Sequence, residues 1–107
     1  MEDTDNQKIL IEKIIYDVIE EHNKLNPIEL HLEKSSKTNL LGKDGILDSL
    51  GFINFLIEVE SSLQEKVSKN ISIVDEKLFQ DFNGPYKNIM TLKEFIFEKI
   101  NWELILQ

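Results

Sequence analysis

The chain has 107 residues, 41% of them apolar, with four Gly and two Pro, which sizes it for a single domain over 1–107 with one modest core. It has no cysteine, which excludes a disulfide framework, a thiolate zinc site and a cysteine nucleophile. Twenty acidic against twelve basic residues give a net charge of −8, which repels nucleic acid and anionic membranes and favours partners with basic patches.

The first stretch, MEDTDNQK, is acidic and polar where a signal peptide would be basic and then apolar. No apolar run approaches the ~18 residues of a membrane span, so the expectation is a cytoplasmic protein without stable membrane insertion. Thr4 and Gln7 match the Ser/Thr-x-x-Glu/Gln capping box and predict a helix start. Leu10, Ile11, Ile14, Ile15, Val18 and Ile19 then share one arc, and Pro27 stops the helix after about residues 22 to 24. Residues 25–48 read as a long loop, and a loop of that length needs anchors. Leu30, Leu32, Leu40, Leu41, Ile46 and Leu47 are the candidates, with Gly42 and Gly45 permitting tight turns.

A second helix is expected from Ser49 to between 63 and 66. Phe52, Phe55, Leu56, Val59 and Leu63 form its core face. Leu50, Ile53 and Ile57 form a further apolar stripe, bordered by Asn54, Glu58, Glu60 and Ser61; the long loop covers it or other proteins dock on it. Ile71 to Val74 can run extended, and Asp75 can cap a brief helix through Leu78, Phe79 and Phe82, ended by Asn83-Gly84-Pro85. Thr91 and Glu94 make a second capping box for a last helix with Leu92, Phe95, Ile96 and Ile100 on one face. The apolar tail with Trp102, Leu104, Ile105 and Leu106 packs back on the helices or makes an oligomer contact. The fold class is all-α, with three main helices, one short one and no strand ladder.

Little in the chain suggests catalysis. His22 and His31 lack metal-ligand spacing, so no metal site is expected. The carboxylates form no defensible acid–base pair, and no Gly-rich phosphate loop, hydrolase elbow or basic aromatic patch is present. The chain reads as a non-enzyme. Ser49, with Asp48 before it, sits where helix N–H groups are unpaired and a phosphate ester is electrostatically favoured, although either residue can simply cap the helix.

The stretch LLGKDGILDSLGFINFLIEVE resembles the phosphopantetheine attachment region of acyl carrier proteins. An apolar pair leads into a Gly-containing acidic turn, then Asp-Ser-Leu, then an apolar helix ending in acid. ISIVDEKLF resembles the family's approach to its short third helix, and MTLKEFIFEKI its last helix. The resemblance implies an acyl-carrier-protein-like four-helix bundle and a 4′-phosphopantetheine arm, supplied from coenzyme A by a phosphopantetheinyl transferase and attached to Ser49. Acyl groups would ride on it as thioesters between a loading ligase and downstream acyl-processing enzymes. Asp48 and Leu50 match positions that the transferase recognises, and Leu50, Ile53, Ile57, Glu58 and Glu60 fall where partners are contacted. The carrier is expected to be a monomer.

Gly51, Asn54, Ser61 and Ser62 stand where fatty-acid carriers usually place acid. The DSLG motif is closer to D-alanyl carriers and to carriers of dedicated pathways. Three alternatives therefore stand: a dedicated acyl carrier, a D-alanyl or aminoacyl (peptidyl) carrier, and an unmodified helical interaction module. For a carrier, Phe52, Phe55, Leu56, Val59, Phe79, Phe95 and Ile96 either open an apolar slot for cargo or fill it.

Overall fold

The computed structural model describes residues 2–42, 44–68 and 70–100. It contains three α-helices, α1 (Glu2–Leu25), α2 (Ser49–Val67) and α3 (Ile89–Lys99), and two 3-10 turns, Ile28–Leu30 and Glu76–Gln80. No strand forms among the described residues; one isolated antiparallel bridge joins Asn39 to Asn88. The expected short helix is thus a 3-10 turn that closes at Gln80, which leaves Phe82 outside it and 57% exposed. Residues 101–107, including the apolar tail, lie outside the described part.

α1 packs against both other helices. Its apolar arc buries Ile11, Ile14, Ile15, Val18 and Ile19, whereas Leu10 is left at the surface. The helix begins at Glu2, ahead of the predicted capping box. Thr4 is therefore helical, and a cap requires an extended residue. At the other end the helix stops before Pro27, which forces its predecessor out of helical geometry. Asn26 Nδ2 donates to the His22 carbonyl at 2.8 Å and satisfies one of the orphaned last-turn acceptors.

Side-chain tethers and burial hold the long loop. Asn23 Nδ2 donates to the Leu32 carbonyl and Asn23 Oδ1 accepts the Leu32 N–H, both at 2.9 Å. Farther along, Leu40 N–H donates to the Lys87 carbonyl at 2.8 Å and Ile89 N–H to the Thr38 carbonyl at 3.1 Å. Leu32, Leu40, Leu41 and Leu47 are buried as expected, but Leu30 and Ile46 are 37% and 41% exposed. Leu30 is held by polar bonds instead, its N–H donating to the Pro27 carbonyl at 2.9 Å and its carbonyl accepting from His22 at 2.8 Å. Gly42 adopts φ +105°, and a Cβ on Gly45 would collide with the Leu40 carbonyl, so this corner requires glycine at both positions.

α2 buries Phe52, Phe55, Leu56, Val59, Leu63 and Val67, the expected core face extended by one turn. Residues 71–74 alternate in burial, with Ile71 and Ile73 inward and Ser72 outward, and Asp75 is extended; this is the period of a strand, with no partner strand among the described residues. Side chains satisfy this backbone instead. Gln64 Nε2 donates to the Ile71 carbonyl at 3.0 Å, and Glu60 Oε2 accepts from Ile73 N–H at 2.8 Å. Asn88, not Thr91, caps α3. Thr91 N–H donates to Asn88 Oδ1 at 2.9 Å, and Asn88 N–H donates to Thr91 Oγ1 at 3.0 Å. Thr91 is thus the inner member of the box, and Glu94 is free to pair with Lys8 at 2.9 Å.

Candidate functional site

The head of α2 carries the candidate site. Asp48 is extended (φ −77°, ψ 178°) and its Oδ1 accepts the Gly51 N–H at 2.7 Å, the geometry of an N-cap. Ser49 is therefore the first helical residue, exposed, and its hydroxyl has no hydrogen-bond partner among the described residues. Asp48 does the capping, which leaves the serine hydroxyl available. A Cβ on Gly51 would lie 3.1 Å from Asp48 Oδ1 and 3.7 Å from the Leu47 side chain. The glycine thus lets the cap close tightly, which explains a residue that otherwise weakens a helix by about 1 kcal/mol relative to Ala.

Outward from Ser49, Leu50 is 67% exposed and Ile57 48%, while Ile53 is half-buried. Glu58 is exposed and has no ion-pair or hydrogen-bond partner among the described residues. Glu60 departs from this outward set. Its Oε2 accepts from Ile73 N–H at 2.8 Å and from Val74 N–H at 3.4 Å, and the residue is half-buried. It is a clamp on the extended segment rather than a solvent-facing contact.

A groove of about 420 Å³ lies between the last turns of α1 and the first turns of α2, with His22, Leu25, Gly51, Asn54, Ile57 and Glu58 among its walls. At about 100° per residue, Ile57 stands roughly 80° and Glu58 roughly 180° round α2 from Ser49, so the groove opens to one side of the serine and not along its own flank. The histidines serve the backbone. His22 Nε2–H donates to the Leu30 carbonyl at 2.8 Å and His31 Nε2–H to the Asn26 carbonyl at 2.9 Å. No cluster of three or more metal-ligating side chains occurs among the described residues, and no described helix is long and apolar enough to cross a membrane.

Sequence periodicity assigns no role to Tyr86, because it falls in the turns before α3 where neither helical nor strand period runs. It is nonetheless fully buried. Its hydroxyl donates to the Ile73 carbonyl and accepts from Asp75 N–H at 2.9 Å. Its ring centroid lies 5.1 Å from Phe52, 5.3 Å from Phe79 and 6.0 Å from Phe95. An aromatic residue among turn formers was the available signal. No protein-family model, curated protein or solved structure matches the chain.

Proposed function

We propose that this chain is an acyl carrier protein of the four-helix-bundle kind, in which the 3-10 turn Glu76–Gln80 takes the place of the short third helix. Ser49 bears 4′-phosphopantetheine. The observation that carries the reading is the division of labour at the head of α2, where Asp48 closes the cap and the adjoining Ser49 hydroxyl stays exposed and unbonded. In the modification step the Ser49 oxygen bonds to the β-phosphorus of coenzyme A, and the pyrophosphate P–O bond breaks. Adenosine 3′,5′-bisphosphate leaves and the hydroxyl proton passes to a base of the transferase. The N-terminal end of α2 favours the resulting phosphodiester. When bound, the arm supplies the thiol that this cysteine-free chain lacks.

Leu50, Ile53, Ile57 and Glu58 are the proposed docking residues for the transferase, the loading ligase and acyl-processing enzymes, with a cytoplasmic setting. The DSLG motif favours a second reading, in which the cargo is D-alanyl or another aminoacyl group. An unmodified interaction module would leave Ser49 dispensable.

Intact mass after incubation with coenzyme A and a broad-specificity phosphopantetheinyl transferase tests the proposal. One phosphopantetheine is expected on the wild type and none on Ser49→Ala. Absence of the adduct on folded wild type, with a control carrier modified in parallel, would argue for the interaction module.

A further inference from the structure

At about 100° per residue, Ser49, Phe52, Ile53, Leu56 and Glu60 share one flank of α2. Glu60 fixes what lies along that flank, since its carboxylate holds the N–H groups of Ile73 and Val74. The held strand-like segment leads into the turn Glu76–Gln80, which brings Phe79 edge-on to Phe52 with centroids 5.9 Å apart and planes at 88°. Tyr86 closes the stack from below against both rings, and Phe95 backs it. Phe52 and Tyr86 have no exposed surface, and Phe79 is half-buried at the edge.

An acyl chain turning from an arm on Ser49 into the core along this flank would have to pass between α2 and this segment. It would displace the Phe79 ring and break the Tyr86 bonds to Ile73 and Asp75. Interiors packed to crystal-like density leave no room for added methylenes without such rearrangement. We infer that Phe52, Phe79 and Tyr86 plug the flank beside Ser49, so that the cargo is a short or polar acyl group, aminoacyl included, carried outside the bundle. The inference rests on the carrier reading of Ser49 and selects among its cargoes. A short or polar group gains little from an apolar slot, so a closed flank does not disfavour it, whereas a long chain would be left in water.

The test loads the full chain at Ser49 from acetyl- or decanoyl-coenzyme A with the same transferase and follows thioester cleavage by hydroxylamine using intact mass. Hydroxylamine nitrogen bonds to the acyl carbon, the C–S bond breaks, the hydroxamic acid leaves and the thiol stays on the protein. The acetyl and decanoyl forms are expected to react within about twofold of each other after correction against the corresponding acyl-pantetheines, as equally exposed thioesters should. Protection of the decanoyl form by about tenfold or more, which burial of only two methylenes would suffice to produce, overturns the plug. Phe79→Ala, with Phe79→Leu as the milder change, is expected to protect the decanoyl thioester progressively, by about tenfold in the alanine variant, and to leave the acetyl form unchanged. A Phe79→Ala chain that is folded by circular dichroism and still leaves the decanoyl group fully reactive overturns the assignment to Phe79. A chain that accepts no acyl-phosphopantetheine while a control carrier does fails at the carrier reading itself, and the inference falls with it.

Discussion

The Glu60 carboxylate on α2 receives the Ile73 N–H at 2.8 Å across 13 residues of sequence. That bond, with the longer one from Val74, satisfies a segment that has strand-like alternation but no neighbouring strand among the described residues. Removing the acceptor strands a donor on a residue whose surface is 1% exposed. Glu60→Ala is expected to lose about 1–3 kcal/mol of stability in urea denaturation, and Glu60→Gln, which keeps an acceptor oxygen, to lose less. Wild-type stability in Glu60→Ala would show that the clamp carries no weight.

Tyr86 ties the same segment from the other side and makes it sensitive to alkali. Burial raises its phenol above the ordinary value of about 10; the bond from Asp75 N–H opposes the rise, and the charges of Asp75 and Glu60 add to it. The folded state therefore holds the proton more tightly than the unfolded chain. Its contribution to stability is complete below the unfolded value of about 10 and is lost as pH climbs through the higher folded value. Unfolding free energy should fall as the pH rises above about 10, and tyrosinate absorbance in the folded protein should appear late. Tyr16, raised by burial and then by Glu12, contributes to both signals, so the share of Tyr86 is the part that Tyr86→Phe removes. A Tyr86→Phe protein with an unchanged alkaline slope would refute the assignment.

Periodicity made α2 legible, because Phe52, Phe55, Leu56, Val59 and Leu63 recur on one face and Asp48-Ser49 marks the entrance. The errors arise where several polar residues compete for one local task. Thr4 and Thr91 both satisfy a capping pattern, yet the backbone is already helical at each, and Asn88 takes the cap at α3. The tethering roles of Glu60, read from sequence only as a partner contact, and of Tyr86 and Asn23 escaped for a different reason. Their partners lie 13, 13 and 9 residues away, and side-chain bonds to irregular backbone leave no repeat to read. The availability of Ser49 was half-visible: the sequence offered two capping residues, and only coordinates divide the roles.

That division makes Gly51 and Asp48 a coupled pair. Asp48→Ala is expected to lose about 1 kcal/mol with the cap. Gly51→Ala alone should gain little, because the helix-propensity gain is offset by a Cβ 3.1 Å from Asp48 Oδ1. In the Asp48→Ala background the crowding atom is gone, and Gly51→Ala should then gain about 1 kcal/mol. Additivity of the two substitutions in a urea-denaturation cycle would rule out the crowding.

Glu58 and Glu60 border the same apolar stripe but should behave differently toward partners. Glu58 is exposed and unpaired among the described residues, whereas the Glu60 carboxylate is committed to backbone donors. Under the carrier reading, Glu58→Lys should slow transferase loading of Ser49 at low salt by roughly threefold to tenfold, with the effect fading toward ~1 M salt. Leu50→Ala should slow loading with no salt dependence, and because Leu50 is 67% exposed its stability should stay within about 0.5 kcal/mol of wild type. Glu60→Gln, measured where it remains folded, should load at the wild-type rate. The discriminating quantity is the salt slope: a slope lost in Glu60→Gln and kept in Glu58→Lys would reverse the assignment and return Glu60 to the docking surface.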